Sequence, residues 1–239
     1  LVWRFGHITV DFRLIAQYLL FCTPLMLSSV VSNVMLLFDN WLVWWHYRDA
    51  AIFAVYRYGA REFPLATALV SALGTAMMHR LMMAPDEGLA EVKAKSLRLM
   101  HLLFPLTILL MCTSKWFFPR VFNPDFVASA PLFNIYLLTL ASRVLLPASI
   151  VLSKGDSRSI FQISIIEMLL KILLGFWFIH WWGLSGLAWS VVISYWVEKL
   201  GLILVLERRY GVRTSSWLEW KWYSGYVILL FLSYWLTAV

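Results

Sequence analysis

"VYRYGAREFPLATALV", residues Val55 to Val70, places two arginines and a glutamate (Arg57, Arg61, Glu62) directly before a proline and a long apolar run. In a chain this rich in apolar residues, ionised side chains belong at the ends of segments. The enclosing stretch, 49–83, is too long to be one plain helix. Pro64 has no amide to donate, and it disfavours helical backbone in Phe63, so a kink or break is expected at this point. The trio then sits where a membrane-length helix is interrupted, and its surroundings decide what the charges do.

Those surroundings are lipid-like. The 239 residues are 62% hydrophobic and 14% charged, with a mean hydropathy of +0.76. Soluble domains run at roughly 45–50% apolar and about 25% charged. No soluble core of this length hides so much apolar surface, so lipid is the expected solvent for most of it. The fold class read from the sequence is all-α, a polytopic transmembrane helical bundle. About seven spans are expected, near 15–38, 49–83, 99–119, 126–152, 159–180, 184–206 and 222–239. Short polar connectors such as "SKGDSR" and "ERRYGVRTSS" join them, and residues 1–239 read as a single transmembrane domain. The chain starts at Leu1 and lacks a signal-peptide layout, which reads as a fragment. Cys22 and Cys112 lie in apolar runs and behave as small hydrophobes.

Lys and Arg counts give the expected orientation, since cytoplasmic connectors carry the excess. One side holds Arg4, Arg13, Arg80, Lys93, Lys95, Arg98, Lys154, Arg158, Arg208, Arg209, Arg213 and Lys221, twelve in all. The other holds Arg48, Lys115 and Arg120, or five with Arg57 and Arg61. The N-terminus is therefore expected in the cytoplasm and the C-terminus outside. Trp41, Trp44, Trp45, Trp116, Trp181 and Trp182 fall at expected outer ends, with Trp217, Trp220 and Trp222 at an inner one, as an aromatic belt requires. The net charge of +7 reflects this bias and an attraction to anionic membrane lipid. Dispersed over connectors, the basic residues argue against nucleic acid as a partner.

Charges within the spans are the candidates for function. Arg143 sits near the middle of "APLFNIYLLTLASRVLLPASIVL", where an arginine costs about 2.5–3.5 kcal/mol on insertion scales and faces a partner or a wet cavity. Glu167 and Lys171 are four apart on one helical face, in the favourable order; a structural ion pair and a substrate role are both open to them. Glu198 and Lys199 read as snorkelling toward the inner interface. Asp39 closes the first span, whose Ser28, Ser29 and Asn33 make one side polar. His79, His101 and His180 read as interfacial. No phosphate loop, H-E-x-x-H or G-x-S-x-G motif is present, so neither enzymatic catalysis nor a cofactor or metal site is expected.

One family matches this order of features. "FDNWLV…AIFAVYRYGAREFPLATALVSAL", "PLFNIYLLTLASRVLLPASIVLSKGDSRSIF" and "WWGLSGLAWSVVISYWVEK" together resemble the polysaccharide-exporting flippases. These lipopolysaccharide or O-antigen exporters belong to the superfamily that also holds multidrug extruders and lipid II flippases. The likeness runs from about Tyr18 to Tyr210 and lies in spacing. An acid closes one span, a Y-x-x-G-A-R-E-x-P turn enters the next, and an arginine lies inside the fourth. A K-G-[DK] turn and a G-x-x-G-x-A element follow. Such proteins have two six-helix lobes, so residues 15–210 resemble the second lobe, 222–239 an additional span, and the first lobe becomes an expected partner.

The resemblance implies movement of an undecaprenyl-pyrophosphate-linked oligosaccharide across the bacterial inner membrane by alternating access, for envelope polysaccharide biosynthesis. A polyprenyl diphosphate head needs cations in a wet cavity, and guanidinium groups suit phosphate oxygens. Arg57, Arg61, Glu62, Arg143 and Lys171 are then the substrate-binding candidates, with Glu62 competing for Arg61 in the empty site. Asp39 and Glu167 are candidates for ion coupling or cavity polarity. A membrane-embedded glycan polymerase or ligase, a cation-coupled drug extruder and a structural membrane partner remain open.

Overall fold

A computed structural model of the chain describes residues 12–122 and 124–238, within which every regular element is helical. Arg4, counted above among the inner basic residues, lies outside the described residues. Helix α1 (Phe12–Tyr47) runs through Pro24 without ending. Only two residues turn the chain into α2 (Ala50–Gly59). Arg48 takes φ 49°, the left-handed ending common after a helix. Asp49 Oδ1 then accepts from the amides of Ala51 at 2.7 Å and Ile52 at 3.2 Å, capping donors that a helix start leaves open.

The break expected at Pro64 is present. Residues 60–63 are non-helical, and α3 (Pro64–Met83) restarts with the proline in its first turn. Gly59 ends α2 against the next wall of the bundle: a Cβ there would lie 2.7 Å from the Ser129 carbonyl oxygen. Ser129 Oγ in turn donates to Val55 O at 2.8 Å. Helix α4 (Pro85–Val121) has 37 residues, about 55 Å at 1.5 Å per residue. It outruns a hydrocarbon core of about 30 Å, so its charged opening turns continue the span into the connector without a break.

The fourth segment carries a second break. A short 3-10 turn (Pro124–Ala128) leads into α5 (Ser129–Leu137), α6 (Leu140–Arg143) and α7 (Pro147–Ser153). Pro147 restarts the helix as Pro64 does, and residues 144–146 are non-helical ahead of it. In a continuous helix the Ala141 carbonyl would accept from Leu145; here Leu145 N donates to Ser142 O at 3.2 Å. Tyr223 of α9 (Trp220–Ala238) supplies the missing donor, its hydroxyl reaching Ala141 O at 2.8 Å. A neighbouring helix thus satisfies a backbone group freed at membrane depth, where no water is at hand.

Helix α8 (Ser157–Tyr210) has 54 residues and would be about 80 Å long if straight. Its ends nevertheless meet. Asp156, just before it, accepts from Arg209 Nη1 at 2.8 Å and from the Tyr210 hydroxyl at 2.9 Å. The helix doubles back at Gly183, whose φ of 59° and ψ of −139° suit a residue without a Cβ. The spans expected at 159–180 and 184–206 are its two arms.

Five segments are long and apolar enough to cross a membrane: α1, α3, α4, the stretch Pro124–Ser153 and α8. Because α8 doubles back, and α9 adds 19 further residues, the described chain has seven membrane-length legs. The fourth segment is the hub, packing on α3, α4, α8 and α9, with Ile135, Leu138, Ala141, Ile150 and Val151 fully buried. Helix α1 is peripheral and buries only Met35, Asp39, Leu42 and Val43. Exposed Leu, Phe and Trp side chains cover the outside, a surface that suits a lipid solvent. The protein is an all-α membrane bundle.

The Tyr223 contact is testable. Tyr223→Phe removes the donor and leaves Ala141 O buried and unsatisfied, a loss expected to cost about 1–3 kcal/mol in unfolding measured in detergent. A change within about 0.5 kcal/mol, the ordinary scatter of surface substitutions, would show that the break needs no external donor.

Candidate functional site

The two breaks face each other, and one charge from each meets the other. Glu62 belongs to the non-helical segment before Pro64, and Arg143 is the last residue of α6 before the segment leading to Pro147. They form a two-point ion pair: Arg143 Nε to Glu62 Oε2 at 3.0 Å and Nη2 to Oε1 at 2.7 Å. Tyr195, on the second arm of α8, donates its hydroxyl to Glu62 Oε1 at 2.7 Å. Its ring lies under the guanidinium, 4.1 Å from Arg143 Cζ to the ring centroid, a cation–π contact that adds attraction without using a donor. A hollow of about 10 Å³ lies alongside the pair, lined by Ala66, Thr67, Thr139 and Leu140 among others.

On its other side the pair borders a cavity of about 690 Å³. Its wall includes Met35, Asp39 and Asn40 of α1, Tyr56 and Arg57 of α2, Arg61 and Glu62 of the break, and Thr67 of α3. Tyr136 and Arg143 come from the fourth segment, Ser164, Glu167 and Lys171 from the first arm of α8, and Tyr195 and Glu198 from the second. All seven candidates, Asp39, Arg57, Arg61, Glu62, Arg143, Glu167 and Lys171, therefore line one space. Arg57 and Arg61 are exposed, so the cavity reaches the surface on their side.

The partners differ from those expected. Lys171 does not pair with Glu167. It is 2% exposed and reaches across to Asp39 Oδ2 at 2.8 Å and Met35 O at 3.3 Å. The reason is packing: α1 lies against the first arm of α8, with Phe38 and Phe176 edge to face at 5.6 Å, and this brings the acid of one helix over the ammonium of the other. Nor does Glu62 turn to Arg61. Arg61 Nε donates to Arg57 O at 3.1 Å, while Glu62 is taken by Arg143 and Tyr195. Lys199 does not snorkel outward. It is 7% exposed and pairs with Glu198 at 2.9 Å, on a buried face of the second arm. His101 bonds Tyr226, with Nδ1 2.7 Å from its hydroxyl.

Three tyrosines were not among the sequence candidates. Tyr195 binds Glu62, and Tyr56 and Tyr136 share a buried hydrogen bond at 3.0 Å in the cavity wall. A phenol needs a partner once buried, and the polar tip of each lies in an otherwise apolar run, which is the signal that could have marked them. What results is a wall of closed ion pairs, Arg143–Glu62 and Lys171–Asp39, beside open charges. Arg57 and Arg61 form no ion pair among the described residues. Such a space can hold an anion at its exposed rim without first breaking an internal contact.

The Arg143–Glu62 pair should couple the two breaks. Glu62→Leu and Arg143→Leu are each expected to destabilise, and the double variant to recover part of the loss, giving a coupling of about 1–3 kcal/mol in a double-mutant cycle. Additive losses would mean that the pair does not hold the breaks together. Exchanging Arg61 and Glu62 places a guanidinium against Arg143, so that variant is expected to lose folded protein and not merely activity.

The chain matches no protein-family model, no curated protein and no solved structure.

Proposed function

We propose that this chain moves an undecaprenyl-pyrophosphate-linked oligosaccharide from the inner to the outer leaflet of a bacterial inner membrane, by alternating access. One observation carries the reading: two arginines without an ion-pair partner among the described residues stand at the rim of a large, half-polar cavity inside an apolar helical bundle. A diphosphate cannot cross hydrocarbon unaided, because its charges would lose their hydration. Guanidinium groups replace that hydration with charge-assisted hydrogen bonds in planar geometry. Arg57 in the last turn of α2 and Arg61 in the non-helical segment that follows both line the cavity and can share the two phosphates. The polar wall beyond them, with Ser32, Asn40, Thr67 and Tyr136, offers hydroxyl and amide groups to a sugar.

In this reading Arg143 is a clasp and not a first ligand. Its two-point contact holds the breaks of the second and fourth segments together, and the irregular backbone on either side of it is where the bundle can hinge. The cargo enters at the rim, the clasp yields, and the cavity changes the side to which it opens.

Two measurements test this. In proteoliposomes carrying the full chain, Arg57→Ala/Arg61→Ala should lower transport of a fluorescent polyprenyl-pyrophosphate glycan by about tenfold or more, since losing even one of the two charge-assisted contacts is worth that much. Thermal stability should stay within about 2 °C, since both side chains are exposed. Undiminished transport contradicts the assignment. For orientation, exposed Lys154 and Ser215 are the labelling positions. With Cys22 and Cys112 removed, cysteines at 154 and 215 should react only with a membrane-permeant reagent, and one at exposed Asp125 with an impermeant one; the opposite pattern reverses the orientation.

A further inference from the structure

The charges deep in the cavity do not balance. Four acids stand there, Asp39, Glu62, Glu167 and Glu198. Three are taken: Asp39 by Lys171, Glu62 by Arg143 and Glu198 by Lys199. Glu167 is the fourth. It is 8% exposed, it lines the cavity, and no ion pair or hydrogen bond holds its carboxylate among the described residues. Lys171, one turn along the same helix, is turned instead to Asp39 and the Met35 carbonyl. Asp39 Oδ1, beside that pair, also has no hydrogen-bond partner among the described residues.

A carboxylate on a cavity wall with no protein donor to meet it is left to water alone, and a ligand that displaces that water must supply a donor in its place. The rim has the opposite imbalance, two guanidinium groups whose one neighbouring acid, Glu62, is already held by Arg143. The space is therefore bipolar, positive where α2 meets the surface and negative on the first arm of α8. Its complement is a molecule with an anionic group at one end and a cationic donor at the other. Resting on the flippase reading above, we propose that Glu167 receives an ammonium group on the glycan, so that the cargo is an amine-bearing sugar whose diphosphate lies on Arg57 and Arg61. Glu167 selects among glycans, and the rim arginines bind the part common to all of them.

The full chain in detergent can be titrated with a farnesyl-pyrophosphate-linked disaccharide whose distal sugar is glucosamine and with its N-acetyl counterpart, which differ only in acylation of that amine. The wild-type protein should bind the free amine about tenfold more tightly or better, the worth of one hydrogen-bonded charge contact. Glu167→Gln should abolish the preference while keeping affinity for the acetylated probe, and Glu167→Asp should retain it. Equal affinities in the wild type, or an unchanged preference in Glu167→Gln, overturn the amine assignment and leave the flippase reading standing. Binding of neither probe overturns both.

Discussion

An ionised side chain at membrane depth must meet an opposite charge or water, and that requirement organises this bundle. Glu62 and Arg143 are far apart in sequence and lie on different spans, yet each is at the point where its own helix stops. A regular helix would carry its side chains around a cylinder, with few reaching the axis of the bundle. Breaking both helices at proline lets the backbone approach the centre and turn the carboxylate and guanidinium toward each other at 2.7 Å. Tyr195 then fixes the carboxylate from a third direction. With those charges satisfied inside protein, irregular backbone becomes tolerable in the membrane, and Tyr223 completes the accounting from α9.

The second pair, Lys171 with Asp39, does comparable work at the periphery. Helix α1 buries little, and its polar anchor is this contact with the first arm of α8. Replacing a buried ion pair by apolar groups is often neutral or stabilising, whereas removing one partner is strongly destabilising. Both pairs are therefore better understood as devices that fix where helices sit than as sources of net stability. The charges they leave over, two arginines at the rim and one glutamate inside, are what a ligand can use. The proposed cargo follows from this remainder and not from the number of charges in the cavity.

Much of the architecture was legible in the sequence, and the exceptions have physical causes. Composition pointed to a lipid solvent, and apolar runs located the legs, because span length is set by bilayer thickness. Helices α1 and α4 run on past the expected 15–38 and 99–119, to Tyr47 and back to Pro85, because helix continues beyond the apolar run. Pro64 announced its break. Pro147 carried the same signal, but the apolar run around it was of ordinary span length, so nothing demanded an interruption there. The seven candidate residues do line one cavity, since polar groups in spans are rarely placed against lipid. Their partners were not legible. Glu167 and Lys171 have ideal helical spacing, yet local spacing cannot weigh a contact four residues away against one from another helix; packing of α1 on α8 decided in favour of Asp39. Likewise, Glu62 next to Arg61 invited a local pair, and the distant Arg143 won by two-point geometry.

The central claim is that the breaks at Pro64 and Pro147 are joined by one ion pair in the membrane. A solid-state NMR distance between the guanidinium nitrogens of Arg143 and the side-chain carboxyl carbon of Glu62, measured on the selectively labelled protein in lipid bilayers, tests it most directly. The account predicts strong dipolar coupling from two of the guanidinium nitrogens, Nε and Nη2, matching N–O contacts of 3.0 and 2.7 Å. Absence of that coupling, with both side chains in exchange with bulk water, would contradict it.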